Sequence, residues 1–215
     1  MGKLNMGILG GFSGTVGTVV GSTNKKGDDI IRAKSKRVRT SFTEGQVNQQ
    51  TKFALVTGFM QPLNFVLKNS FKAVAADEMS PYNYACKLAL KEAVVGEAPD
   101  FELDYAKVYI SKGKMSRETS SSAVLKDGKV TFSWMDDTGG SQVQADDKAM
   151  LIVYNVDKGE VSYSMGVVAR SAETANVPLP YAEAGDNLLF YIFFQSATDA
   201  SLFSTSKLIG TAVVA

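Results

Sequence analysis

The chain has 215 residues and a mass of 23.1 kDa, which is the size of one large domain or two small ones. Its hydrophobic share of 45% and its charged share of 21% are typical of a globular protein and argue against a disordered chain. Histidine is absent and Cys86 is the only cysteine, which excludes catalysis by a histidine base, histidine or thiolate metal cages and an internal disulfide.

The first 24 residues combine closely spaced glycines with apolar side chains and contain no nucleotide-binding glycine motif. Glycine loses much backbone entropy when it is ordered, so this stretch is a poor helix or strand on its own. We therefore predict an N-terminal arm that a neighbouring subunit orders. Its predicted contact residues are Ile8, Leu9, Phe12, Val16, Val19 and Val20. Because we find neither a secretory signal nor an apolar run long enough to cross a membrane, we expect the chain to fold in the cytoplasm.

Residues 25–39 form a basic extended segment, with seven lysine or arginine residues against two aspartates. Basic residues on alternate positions share one side of an extended chain and suit an anionic partner, either phosphate groups or an acidic protein surface. No aromatic residue lies between them, so stacking on single-stranded bases is not expected. The predicted contact residues are Lys25, Lys26, Arg32, Lys34, Lys36, Arg37 and Arg39.

Charge is divided unevenly along the chain. Residues 1–72 carry a net charge of +8 and residues 73–215 a net charge of −7, although the whole chain carries only +1. Opposite charges on different faces of identical subunits favour head-to-tail pairing of copies.

Residues 43–98 are predicted to form a small helical module. Thr43 and Gln46 fit a capping box before the first helix, and Ser80-Pro81 is a typical start for the last. Apolar side chains at helical spacing then predict helices over 47–60, 63–74 and 81–95.

From residue 99 onward the pattern changes to short strands separated by turns. The predicted strands cover 101–105, 108–110, 129–134, 149–156, 161–168, 188–194 and 208–214. Val130, Phe132 and Trp134 share one face, as in a core strand of fibronectin type III-like domains. We therefore predict an α+β fold, with a Gly-rich arm and basic segment at 1–42, a helical module at 43–98 and a fibronectin- or immunoglobulin-like β-sandwich at 99–215.

Adjacent carboxylates occur at Asp77-Glu78, Asp136-Asp137 and Asp146-Asp147, and we interpret them as turn or loop residues. Neighbours on a strand point to opposite faces, which does not suit a glycosidase pair, and no calcium-binding loop motif is present. We predict no catalytic residue, no metal site and no cofactor.

The first 60 residues carry a series of short motifs. They open with Met-Gly-Lys, continue with a glycine ladder over 7–20 and the pair Ile31-Arg32, and reach Thr43-Glu44-Gly45-Gln46 and Lys52-Phe53. In this series the chain resembles a Bacteroidota domain family of uncharacterised function. Members of that family have a Trp-containing step where this chain has Thr23-Asn24, and Asn-Pro where it has Ser41-Phe42. The resemblance implies a C-terminal β domain and supplies no activity and no catalytic residues.

The leading hypothesis is a non-enzymatic structural protein whose arm joins copies of itself in a repeated assembly, such as a phage-like particle or a filament. The rival hypothesis is a nucleic-acid-binding or genome-packaging module that uses residues 25–39. A cell-surface adhesion domain fits the sandwich but not the missing export signal. An enzymatic function is not favoured, because the chain has few side chains suited to acid–base catalysis.

Overall fold

The computed structural model describes residues 2–4, 11–24, 26–35, 41–75, 79–118, 120–136 and 143–214. The chain divides into two compact units, Met1–Glu44 and Gly45–Ala215. Among the described residues, three α-helices and antiparallel strands make the fold mixed α+β, which confirms the predicted class at that level.

The N-terminal unit contains a four-stranded antiparallel sheet, which we call the arm sheet. Its strands are β1 (Gly2–Leu4), β2 (Gly14–Val16), β3 (Val19–Thr23) and β4 (Asp29–Ala33), in the order β1-β4-β3-β2. The expectation that this stretch forms no strands of its own is therefore wrong.

Turn chemistry explains why the arm sheet pairs within the chain. Gly17 takes a left-handed conformation with φ 57° in the β2–β3 turn. In the β3–β4 turn, Oδ1 of Asn24 accepts hydrogen bonds from the backbone N–H groups of Lys26 and Asp28. Two short turns thus offset the entropy that the glycines lose.

The helices of the second part of the chain are α1 (Glu44–Met60), α2 (Asn64–Ser70) and α3 (Pro81–Glu92). The first begins directly after Thr43, as predicted. The hydroxyl of Ser80 caps α3 by accepting from the Asn83 N–H at 3.3 Å. Both α2 and α3 end earlier than predicted.

A hairpin of two short strands, β5 (Val94–Glu97) and β6 (Asp100–Leu103), follows α3 and explains its early end. The carboxylate of Asp104 then accepts from the Ala106 N–H and begins a 3-10 turn at Tyr105–Lys107. The predicted strand over 108–110 is wrong, because this turn redirects the chain.

The remaining strands are β7 (Ser121–Lys126), β8 (Lys129–Trp134), β9 (Lys148–Asn155), β10 (Glu160–Ala169), β11 (Thr174–Pro178), β12 (Asn187–Gln195) and β13 (Lys207–Val213). One sheet has the order β10-β9-β12-β13 and the other the order β11-β8-β7. All neighbours in both sheets are antiparallel.

The four-stranded sheet is covered on both faces. Met150 and Tyr191 belong to a cluster with the helices, whereas Leu151 and Phe190 belong to a cluster with Phe132 of the smaller sheet. This arrangement makes three layers: helices, four-stranded sheet and three-stranded sheet. Because β9 and β12 are buried from both sides, their sequences are continuous apolar runs.

Buried serines tie Ile110 and Ser111 to α2 and to the segment that precedes β13. The hydroxyl of Ser70 donates to the Ile110 carbonyl at 2.6 Å. The hydroxyl of Ser206 accepts from the N–H groups of Ile110 and Ser111, at 2.9 and 3.2 Å. The hydroxyl of Ser111 in turn donates to the Ser204 carbonyl. Side chains therefore satisfy backbone groups that no strand partner reaches.

Candidate functional site

The predicted arm residues line the arm sheet where they are described. The strand register places Val16, Val19 and Ile31 on one face, because Val16 pairs with Val19 and Ile31 pairs with Gly21. Phe12 covers the same face at Gly21, where a Cβ atom would lie 2.7 Å from the Phe12 ring. Val20 points to the other face. Ile8 and Leu9 lie outside the described residues.

No apolar side chain of β2, β3 or β4 is buried. Val16 is 62% exposed, and Phe12, Val19, Val20 and Ile31 are only half-buried. A small sheet needs a covered apolar face to be stable in water. The arm sheet therefore presents apolar surface that another surface could bury.

Three of the predicted basic contact residues are described, and they do not form one cluster. Lys26 lies in the turn before β4, whereas Arg32 lies near the far end of that strand and Lys34 directly follows it. The spacing of two residues places Arg32 and Lys34 on the same side of an extended chain. All three are exposed, and none forms an ion pair within the described ranges. Lys25, Lys36, Arg37 and Arg39 lie outside the described residues.

The first half of α1 also exposes apolar side chains. Val47 is 47% exposed and Phe53 is 51% exposed, and the buried residues of this helix are confined to its last five positions, from Val56 to Met60. Helices in proteins gain most of their stability from packing an apolar face. This half of α1 therefore presents exposed apolar side chains of its own.

A cleft of about 470 Å³ opens between α1 and α3. Its lining residues are Phe53, Tyr82, Asn83, Cys86, Lys87, Leu90 and Lys91. Burial raises the pKa of the Cys86 thiol, and it also raises the pKa of Tyr82 to about 12. The side chains of Tyr82 and Cys86 form a hydrogen bond with each other. Both groups therefore stay neutral at physiological pH, and the cleft has an apolar floor.

Two lysines at the rim of this cleft were not singled out from the sequence. Lys87 and Lys91 are one helical turn apart on α3, both are exposed, and neither has a carboxylate partner among the residues placed by the structure. The signal that identifies such a pair is the spacing of four residues without an acidic neighbour on the same helix face.

The hairpin of β5 and β6 carries the complementary charge. From Glu92 to Ala106 the sequence has five acidic residues and no basic one. Val95 pairs with Glu102 and Glu97 pairs with Asp100, so these four side chains share one face of the hairpin. We call this surface the acidic hairpin face.

The paired carboxylates have structural roles where they are described. Asp147 is fully buried, and its oxygens accept from the N–H groups of Gln144 and Ala197. Asp146 is exposed. Asp137 and the pair Asp77-Glu78 lie outside the described residues. Within the described ranges, no group of three or more potential ligands is placed to hold a metal ion.

The fully buried Arg170 is the least expected charged residue. Its guanidinium lies 3.9 Å from Oδ1 of Asp136 and 4.4 Å from the centre of the Phe194 ring. Trp134 packs edge-on against Phe194 and donates from its indole N–H to the Arg170 carbonyl at 2.7 Å. Because Trp134 and Phe194 belong to different sheets, Arg170 holds one end of the two sheets together.

None of the helices that the structure describes is both long and apolar enough to cross a membrane.

A family model matches residues 11–210, and its description is a family of unknown function, DUF6266. The match extends over parts of both compact units. It confirms the resemblance to an uncharacterised domain family that the N-terminal motifs indicated. No curated protein and no solved structure matches the chain.

Proposed function

We propose that this chain, which belongs to the DUF6266 family, is a non-enzymatic structural subunit that assembles with copies of itself. The function of the family is unknown, so family membership supplies no activity. The arm sheet makes the contact between copies. A repeated assembly, such as a phage-like particle or a filament, is the setting that fits this role.

One observation carries the proposal: in the arm sheet, none of the apolar side chains of β2, β3 and β4 is buried. Both clusters of buried residues lie within positions 56–203, in the other unit. Valine and isoleucine side chains that stay half-exposed gain stabilisation when a neighbouring copy covers them, at roughly 25 cal/mol for each Å² of apolar surface buried. Because the strands of the arm pair with one another, the arm meets its neighbour as a small sheet.

The unpaired charges give this contact a direction. Arg32 and Lys34 extend from one end of β4 without a partner in the described part of the chain. Residues 73–215, in contrast, carry a net charge of −7. Attraction between the basic segment of one copy and an acidic surface of the next sets the register in which they meet.

We further propose that the seven strands β7 to β13 form a β-sandwich of the fibronectin type III kind. The first, second and fifth of these strands share one sheet, and the third, fourth, sixth and seventh share the other. Phe132 and Phe190 meet edge to face between the two sheets, with ring centres 6.2 Å apart. Such a rigid body suits a protein that positions interfaces.

Light scattering on purified protein tests the assembly. The parent is expected to be oligomeric. A chain that begins at residue 44 is expected to stay folded, because both core clusters remain in it, and to form a smaller species than the parent. Val16→Asp in the full chain should have the same effect, since it places a charge on the exposed edge of the arm sheet. Thr18→Asp, in the adjacent exposed turn, is the matched control. An oligomer of unchanged mass after the truncation contradicts the proposal.

A second candidate function is binding of nucleic acid through the basic segment, favoured by the shared side and the exposure of Arg32 and Lys34. Phosphate contacts release counterions, so binding of this kind weakens steeply with salt. A gel shift with double-stranded DNA at increasing salt tests it, and Arg32→Glu with Lys34→Glu should abolish the shift. No shift at low salt contradicts this function.

A further inference from the structure

The cleft between α1 and α3 combines an apolar floor with two lysines that repel each other. Cys86 is 5% exposed at the floor, and Phe53 on the opposite wall is 51% exposed. Lys87 and Lys91 are four residues apart, and like charges at this spacing destabilise a helix. A ligand that brings carboxylates and an apolar side chain together would relieve the repulsion and cover the floor.

The acidic hairpin face has this chemistry. Glu97 and Asp100 are directly opposite each other, and carboxylates in such cross-strand positions also repel. Val95, on the same face, is 38% exposed. Glu97, Asp100 and Glu102 are exposed and form no ion pair with any other residue that the structure describes. The face therefore offers three carboxylates and one apolar side chain.

The hairpin of a chain does not fill the cleft of the same chain. Phe101 points from the other face of the hairpin, and Nζ of Lys52 on α1 lies 4.5 Å from the centre of its ring. The side of the hairpin that meets α1 is thus the Phe101 side, and the acidic hairpin face turns away from the helix that forms one wall of the cleft.

We propose that the acidic hairpin face of one copy docks into the cleft between α1 and α3 of the next copy. The proposal rests on the assembly function above and identifies a second contact within it. Val95 covers the apolar floor, and the carboxylates pair with Lys87 and Lys91. The opposite charges and the matched apolar groups select a second copy of this chain as the occupant.

Charge reversal in the full-length protein tests this contact. Lys87→Glu with Lys91→Glu makes the cleft acidic, and Glu97→Lys with Glu102→Lys makes the hairpin basic. Each double variant alone is expected to weaken association at least tenfold, measured by light scattering across a dilution series. An equimolar mixture of the two should recover the mass of the parent, because each reversed surface then meets its complement. Lys126→Glu with Lys129→Glu, at an exposed turn elsewhere, is the control for net charge.

Reaction of Cys86 gives a second readout, because it is the only cysteine in the chain. Iodoacetamide should modify the thiol more slowly in the mixture than in either variant alone, since docking covers the floor of the cleft. The proposal is overturned if the separate double variants keep the parent mass or if the mixture stays dissociated. If reversal has no effect while Val16→Asp dissociates the protein, this contact is wrong and the arm contact stands. A monomeric parent overturns both.

Discussion

Replacing Ser206 by alanine should destabilise the protein far more than loss of one surface hydroxyl would. The hydroxyl of Ser206 accepts hydrogen bonds from the N–H groups of Ile110 and Ser111, and Ser206 is 4% exposed. A buried backbone donor that loses its acceptor costs about 1–3 kcal/mol. With two donors affected, we expect the free energy of unfolding to fall by roughly 2–4 kcal/mol, given that the longer bond contributes less.

Urea denaturation followed by the fluorescence of Trp134 measures this change. Trp134 is the only tryptophan in the chain and packs in the core beside Phe194, so its emission reports loss of that packing. Ser133→Ala is the matched control, because Ser133 lies exposed on the adjacent position of β8. It should change the stability by less than about 0.5 kcal/mol. If Ser206→Ala unfolds at the same urea concentration as the parent, the hydrogen bonds to the Ser206 hydroxyl do not hold residues 110 and 111 in place.

Three further substitutions test other parts of the fold. Gly21→Ala should open the arm sheet, since the added methyl group would lie against Phe12; limited proteolysis should then cleave the N-terminal unit faster than in the parent. Tyr191→Phe removes the hydrogen bond from its hydroxyl to the Tyr105 carbonyl at 2.9 Å and should lower the free energy of unfolding by about 1 kcal/mol in urea denaturation. Hydrogen bonds from the Glu183 N–H, and to a smaller extent from the Asn155 amide, lower the pKa of Asp186. The stabilisation that the Asp186 carboxylate gives the folded protein is therefore complete above the ordinary pKa of aspartate, and it is lost as the pH falls through the lowered pKa. The stability of Asp186→Asn measured against pH should therefore fall less steeply in acid than that of the parent.

The strands buried on both faces are predictable from this sequence, and so is β8 with its alternating apolar residues, whereas β7 is not. The apolar runs over 149–156 and 188–194 correspond to β9 and β12 because every position in them is needed in a core. The strand β7 begins inside the run of serines at 120–122, and none of our predicted strands covers it. Only its alternate residues, such as Ala123 and Leu125, contact the core, and such a short alternation resembles a loop in composition.

Residues 108–110 show the opposite error. Val108 and Ile110 are fully or almost fully buried, and their apolar alternation predicted a strand. The backbone N–H of Val108 donates to the Tyr105 carbonyl, and the backbone partners of Ile110 are the side chains of Ser206 and Ser70, 96 and 40 residues away. Hydroxyl groups that replace a neighbouring strand leave no local sequence signal, because the sequence does not distinguish a serine in a core from a serine in a loop.

The candidate contacts divide in a similar way. The composition of the sequence predicted the basic segment. The spacing of two residues between Arg32 and Lys34 also predicts that both side chains lie on the same side of an extended chain. The acidic hairpin face was not visible, because it depends on the register that sets Val95 against Glu102. A shift of the pairing by one residue would place these side chains on different faces. Sequence spacing thus predicts faces within one strand but not across two.

The two proposed contacts should respond differently to salt, because burial of apolar groups contributes most of the arm contact, and this difference assigns each contact its share of the assembly. Sodium chloride screens exposed charges over about 10 Å at 0.1 M, which weakens the contact of the acidic hairpin face with Lys87 and Lys91. Sulfate is excluded from protein surfaces and strengthens burial of apolar groups such as those of the arm sheet. The hairpin and the cleft are different surfaces of each copy, so their contact leaves a free hairpin at one end and a free cleft at the other, and it either closes into a ring or continues as a filament. Sodium chloride should therefore reduce a long assembly to the smaller species that the arm sheets hold, whereas ammonium sulfate at the same ionic strength should preserve that species.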